Sequence, residues 1–273
     1  MNDRPAKLYK YERIDAQTLR NLKAQSIYFG SPRGFNDPYD CAIAPNIRQP
    51  TNEEVEKVRA LYLQDKELTD QQRRELVNLA VEKLAKLLHK SSVSAFKEQI
   101  ENFLTTRGVA CFAESPDNLL MWAHYGGKYK GMCLEFDTSY EPFTKARKVA
   151  YSKSLPEVSP MAILDSVIET NGTDHLMTPY CTKSESWAYE KEWRAFHMQA
   201  GTLYGYKSEA LTGIYFGPDV EPEMREIICL VLRGQNEKVA FYEGRRSATE
   251  FKVGFQRFTY TSYLVAKQMG LRE

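Results

Sequence analysis

TNEEVEKVRALYLQDKELTDQQRRELVNLAVEKLAKLLHKSSVSAFKEQIENFLTTR, residues 51–107, contains neither glycine nor proline. With both helix breakers absent, so long a stretch is free to hold long helices. Val55, Val58 and Leu61 fall on one stripe. Leu76, Ala80, Leu84, Leu87 and Leu88 make a second, and Phe96, Ile100, Phe103 and Leu104 a third. That spacing predicts two or three amphipathic helices, with breaks near Leu68-Thr69-Asp70 and near Lys90-Ser91-Ser92. Acids and bases nearly balance along it, as on a solvated face.

Strand-like segments flank this block on both sides. Before it, Lys7–Tyr11 and Ser26–Phe29 read as strands around a helix that starts at Asp15 and carries Leu19 and Leu22. After it, strands are expected at Val109–Ala113, Gly131–Phe136, Lys148–Tyr151, Trp193–Met198, Gly213–Phe216, Ile227–Leu232, Val239–Tyr242 and Gln256–Tyr260. Short helices are expected over Asn118–Tyr125 and Met161–Glu169. No regular βαβ alternation appears. The expectation is therefore an α+β fold with mixed or antiparallel sheets: a single domain over residues 1–273, with a helical insertion at about 51–106.

The chain has 273 residues and a formal net charge of +1. Near-neutrality argues against a dedicated nonspecific DNA binder. It leaves room for local phosphate contacts at Lys145-Ala146-Arg147-Lys148 and Arg245-Arg246, stretches that also read as solvated surface charge. No apolar run reaches the length of a transmembrane helix, and the start MNDRPAKLYKYER has no apolar signal core. A cytoplasmic protein without membrane attachment is the expectation. Five scattered cysteines, with no C-x-x-C pair, read as reduced thiols in a core.

Phosphate-cradling G-x-x-x-x-G-K-[ST], dinucleotide-binding G-x-G-x-x-G and the G-x-S-x-G nucleophile elbow are absent. His89, His124, His175 and His197 lack metal-ligand spacing, so no metal site is expected.

Three clusters mix charge with aromatics. In the first, Lys10 and Tyr11 join Asn36-Asp37-Pro38-Tyr39-Asp40. Its carboxylates suit ribose hydroxyls, or an Asx-turn capping a strand connection. The second, Met121-Trp122-Ala123-His124-Tyr125-Gly126-Gly127, reads as a stacking surface for a planar ring or as an aromatic core helix with a glycine stop. The third runs from Lys183 to Arg194, KSESWAYEKEWR. If Glu192 begins a strand, Glu190 and Glu192 share a face, since side chains alternate. Paired carboxylates can stabilise an oxocarbenium-like centre and activate an acceptor; the other reading is a salt-bridge ladder at a strand edge.

LYKY, FNDPYD, VACFAE, LLMWAHY, KGMCLEFD and TKSESWAYEKEWR, running in that order from about residue 8 to 194, resemble the bacterial family known as domain of unknown function 2971. More remotely, strand–helix–strand followed by Glu-x-Glu resembles the ADP-ribosyltransferase fold. That resemblance implies an enzyme that consumes NAD as its substrate, with a bacterial toxin–antitoxin or antiphage setting. It implies Glu192 and Glu190 as catalytic residues. Lys10 would stand where the first motif has His or Arg, with Tyr11 beside it, and Tyr28 or Ser31 would serve the second motif, which here lacks a Ser-Thr-Ser run. The NAD site would draw on Lys10, Tyr11, Ser31, Asn36, Asp37, Trp122, His124 and Tyr125. The acceptor would be RNA, DNA, protein or water, and an antitoxin protein is an implied partner. Two other functions compete: a non-catalytic nucleotide-sensing or protein-interaction module, and a metal-dependent nuclease built on Asp37, Asp40, Glu190 and Glu192.

Overall fold

The computed structural model describes residues 4–41, 46–168, 177–236 and 238–271. His175 and Glu169, the end of one expected helix, lie outside the described residues. The chain divides into two compact units. The first comprises Met1–Ser31, Arg107–Val149 and Ser186–Glu273; the second comprises Pro32–Thr106 and Ala150–Glu185.

The first unit is built on strands. Lys7–Glu12 (β1), Met132–Asp137, Leu211–Phe216, Ala240–Arg246 and Val253–Phe258 form a five-stranded sheet in that spatial order. Pairing is antiparallel except for one parallel contact, Leu211–Phe216 with Ala240–Arg246. Gly108–Phe112 (β3), Trp193–His197 (β8) and Arg147–Lys148 make a three-stranded sheet, and Ser26–Phe29 (β2) pairs with Thr202–Gly205. β3 is tied to both neighbouring sheets. Tyr9 and Ala113 exchange backbone bonds of 2.9 and 2.7 Å, and Gly30 and Val109 exchange bonds of 3.1 and 2.8 Å.

Alternation along β1 sorts its side chains. Leu8 enters a core with Phe29, Phe112, Phe136, Phe143 and Phe216. Tyr9 and Tyr11 belong to a second cluster with Met121, Trp122, Cys133 and Tyr215.

Ile227–Leu232 is not a strand. It lies inside a helix, Pro222–Arg233, with Ile228, Cys229 and Leu232 buried. Pro222 at the first turn and Gly234 at the C-cap mark this helix, and the apolar run IICLVL masks them. Lys148–Tyr151 is also interrupted: Arg147–Lys148 joins the first unit, whereas Ala150–Ser152 pairs in parallel with Thr182–Ser184 in the second.

In the second unit the Gly- and Pro-free block gives Asn52–Leu63 (α2), Asp70–Asn78 (α3) and Val81–Thr106 (α4). The expected break at Lys90-Ser91-Ser92 is absent, because serine interrupts a helix only weakly and Ser92 is buried on the packed face. The chain breaks instead at Leu79, where the backbone turns extended. Arg59 on α2 holds the end of α3: Nη1 donates to the carbonyls of Leu76 and Val77 at 2.5 and 3.0 Å, and Nη2 to that of Leu79 at 2.8 Å. Carbonyls at a helix end lack full intrahelical partners; that of Leu76 also accepts from the Leu79 N–H at 3.4 Å. α4 packs against α2 and against Pro160–Ile168. Phe103, near the end of α4, stacks on Tyr180 with centroids 3.6 Å apart.

None of the five cysteines forms a disulfide. Burial pushes the Cys229 thiol up to about 12. Among the described residues no helix is long and apolar enough to cross a membrane.

Candidate functional site

Asn118 caps the helix Leu119–His124 (α5), its Oδ1 accepting from the backbone N–H of Leu120 and Met121 at 2.9 and 3.2 Å. Its Nδ2 donates to the carbonyl of Tyr189 at 2.8 Å. One side chain thus fixes α5 against the turn Glu185–Glu190. The Tyr125 hydroxyl, just past α5, donates to Glu190 Oε1 at 2.7 Å. Beside them lies a cavity of about 600 Å³, lined in part by Ser115, Asp117, Asn118, Tyr189, Glu190 and Lys191. Glu250, Phe251 and Lys252, from the turn between the last two strands, complete its rim.

Glu190 and Glu192 do not share one face. The strand begins only at Trp193, and Lys191 between the glutamates has φ of 44°. A left-handed non-glycine residue costs roughly 1–2 kcal/mol and breaks the alternation of an extended chain. Glu190 therefore meets Tyr125 and lines the cavity. Glu192 meets Arg194, whose Nε and Nη2 donate to Oε1 and Oε2 at 2.7 and 2.9 Å. Both partners are almost fully buried.

Lys10 belongs to the Glu192 environment. Burial works against its ammonium, but Glu12 at 3.2 Å, with Cys111 and Glu192 farther off, holds its pKa above the ordinary lysine value. Burial, then the Glu192 charge, drives the Cys111 thiol well above its usual range. Tyr11 points the other way from Lys10. Its hydroxyl donates to the Ser115 carbonyl at 2.8 Å, and its ring packs edge-on to Trp122 with centroids 5.1 Å apart.

Trp122 is 0 % exposed and donates its indole N–H to the Pro116 carbonyl at 2.8 Å. It is a core side chain, so the open aromatic group is a different one. His124 is exposed at the end of α5, with Tyr189 and Trp187 at centroid distances of 6.4 and 6.5 Å.

Ser31 closes the first segment of the first unit, while Asn36 and Asp37 belong to the second. Asp37 Oδ1 accepts from the Tyr39 N–H at 2.9 Å, an Asx-turn. The carboxylates proposed for a nuclease divide likewise, Asp37 and Asp40 in one unit and Glu190 and Glu192 in the other. Among the described residues no group of three or more His, Cys, Asp and Glu side chains is placed to hold a metal ion.

Sequence reasoning missed three features. Asn118 is one: Ser115-Pro116-Asp117 signals a helix start here, but not the bond from the Asn118 side chain to the Tyr189 carbonyl. The Glu250–Lys252 rim lies in a stretch with no motif. Glu135, an acid among the apolar residues of the strand MCLEFD, is the third: it accepts from the Thr212, Tyr215 and Tyr9 hydroxyls at 2.7, 2.8 and 3.2 Å.

Residues 121–195 match the family model described as Protein of unknown function (DUF2971). That span starts in α5, ends in β8 and contains Tyr125, Glu190, Glu192 and Arg194. No curated protein and no solved structure gives a significant match to the chain.

Proposed function

We propose that the chain is an NAD-consuming ADP-ribosyltransferase that uses the cavity beside Glu190. One observation carries this reading: a buried carboxylate, oriented by the Tyr125 hydroxyl at 2.7 Å, lines a polar cavity of about 600 Å³. That volume falls within the roughly 300–1,000 Å³ range of small-molecule sites.

Cleavage of the nicotinamide–ribose bond leaves positive charge on the sugar, and a preorganised carboxylate stabilises that charge. In the reaction the C–N bond breaks and its electron pair leaves with neutral nicotinamide. An acceptor oxygen or nitrogen forms the new bond to the sugar carbon and gives its proton to a carboxylate. Glu190 takes the catalytic part in this scheme. Glu192, with both oxygens on Arg194, serves as a fixed partner that holds the start of β8. His124, Trp187 and Tyr189 offer ring faces to a planar base.

The test is release of nicotinamide from NAD, with water, RNA, DNA and cell protein each supplied as acceptor. Wild type releases nicotinamide, and Glu190→Gln loses about 10²–10³ in rate while staying folded. A folded Glu190→Gln protein with the wild-type rate removes Glu190 from the mechanism.

A non-catalytic nucleotide-binding module is the second reading. The observation favouring it is the engagement of both Glu192 oxygens by Arg194. NAD binding by calorimetry with no turnover under any acceptor condition selects this reading over the enzyme.

A further inference from the structure

FNDPYD, residues 35–40, and Lys183-Ser184, far apart in the sequence, meet inside the second unit. Asp40 and Lys183 form an ion pair at 3.4 Å, with side chains 3 % and 4 % exposed. Removing two charges from water is costly unless their remaining valences are used. The pair borders a cavity of about 250 Å³ whose wall also includes Asp37, Tyr39, Leu155 and Pro156.

Asp37 is 8 % exposed. Its Oδ1 is used by the Tyr39 N–H, and among the described residues Oδ2 receives no hydrogen bond. That oxygen is open to solvent, so a hydroxyl donor of a ligand can take the place of water there. The charges around it narrow the choice. On the cavity wall Asp40 already pairs with Lys183, and the exposed Lys153 pairs with Glu185 at 3.7 Å. A cation entering meets two ammonium groups, and a phosphate meets two carboxylates. A neutral vicinal diol meets an acceptor in Asp37 and a donor–acceptor pair in Lys183 and Asp40. The apolar surfaces of Leu155 and Pro156 suit the C–H face of a furanose ring. Tyr39, 66 % exposed, offers a ring at the mouth where a base would stack.

We infer that this cavity binds the ribose of a neutral nucleoside, with its 2′,3′-diol on Asp37 and the Asp40–Lys183 pair and its base on Tyr39. The site is separate from the Glu190 cavity and does not depend on the reading given for it.

The test is calorimetric titration of the full chain with adenosine, 2′-deoxyadenosine and D-ribose. Adenosine binds. Loss of the 2′-hydroxyl weakens binding roughly ten-fold or more, the usual effect of removing a hydrogen bond to a charged group. D-Ribose binds more weakly than adenosine, because it leaves Tyr39 uncovered. Asp37→Asn keeps the acceptor for the Tyr39 N–H and weakens adenosine. Tyr39→Ala, at an exposed position that folding does not need, also weakens it by about ten-fold. Glu190→Gln leaves the titration unchanged. No adenosine binding at millimolar concentration, equal affinity for the 2′-deoxy analogue, or indifference to both Asp37→Asn and Tyr39→Ala overturns the proposal. Adenosine lost with Glu190→Gln but kept with Tyr39→Ala places it in the first unit's cavity. That result also overturns the proposal, and it leaves the transferase reading standing.

Discussion

Arg194 is fully buried and carries its counter-ion two residues upstream, in Glu192. The pair is local in sequence and pins the strand start where the left-handed Lys191 has just redirected the chain. Breaking a buried pair by removing one partner typically costs about 3–5 kcal/mol. Glu192→Gln is therefore expected to lower Tm by roughly 10 °C, at about 2–4 °C per kcal/mol for a chain of this size. Thermal unfolding of wild type and variant checks this. An unchanged Tm together with lost nicotinamide release would return Glu192 to the chemistry.

Tyr125→Phe removes a single hydroxyl and keeps the ring. A hydrogen bond to a charged group contributes about 1.5–3 kcal/mol. If Glu190 must be oriented for turnover, kcat falls roughly ten- to a hundred-fold with KM little changed, and Tm drops only modestly. A rise in KM at constant kcat would instead make Tyr125 a plain binding residue.

Gly131 occupies a position where a side chain has no room. A Cβ there would stand 2.2 Å from the Glu12 carbonyl oxygen and 2.7 Å from that of Gly126. Both neighbours are backbone, so relief requires moving a strand. Gly131→Ala should cost about 1–3 kcal/mol in urea denaturation. Gly205→Ala, with nothing within 4 Å of the added carbon, serves as the control and should stay within about 0.5 kcal/mol of wild type.

Acid sensitivity is expected at the start of α2. The Arg48 guanidinium holds the Glu54 carboxyl below its ordinary value of 4.5, and the Thr51 backbone adds to this. A carboxyl whose folded pKa is depressed stabilises the fold above its unfolded pKa, and that contribution disappears as pH falls through the folded value. The difference in urea midpoint between wild type and Glu54→Gln should thus be full at pH 6–7 and shrink below about pH 4.5. A difference that holds constant down to pH 3 would detach Glu54 from the acid response.

Legibility of the sequence tracked how local each cause was. α5 was read to within a residue at each end, because Ser115-Pro116-Asp117 signals its start and Trp122 and Tyr125 stand three apart. Lys7–Glu12, Ser26–Phe29, Gly108–Phe112, Met132–Asp137 and Trp193–His197 were read equally well, whereas Ala240–Arg246 and Val253–Phe258 were read only in part and Thr202–Gly205 was not read at all. Failure came where one local pattern fits two states. IICLVL suits a buried strand or a helix face, and only Pro222 and Gly234 at its ends decide. Tertiary facts were invisible too. Nothing in WAHY says that Trp122 is the buried ring and His124 the exposed one. Nothing in EKE says that the middle residue adopts a positive φ and sends the two glutamates to different neighbours. Nor did the sequence join residues 150–185 to the helical block.

The interleaving of the two units sets an order in time. Residue 7 pairs with residue 137, so the first strand leaves the ribosome long before its partner. At about 5–20 residues per second that wait lasts roughly 6–26 s, with a short aromatic strand unpaired throughout. The second unit starts later, at Pro32, yet its last segment ends at Glu185, while the first unit still awaits Ser186–Glu273. During synthesis the unit begun second is the first whose residues are all available.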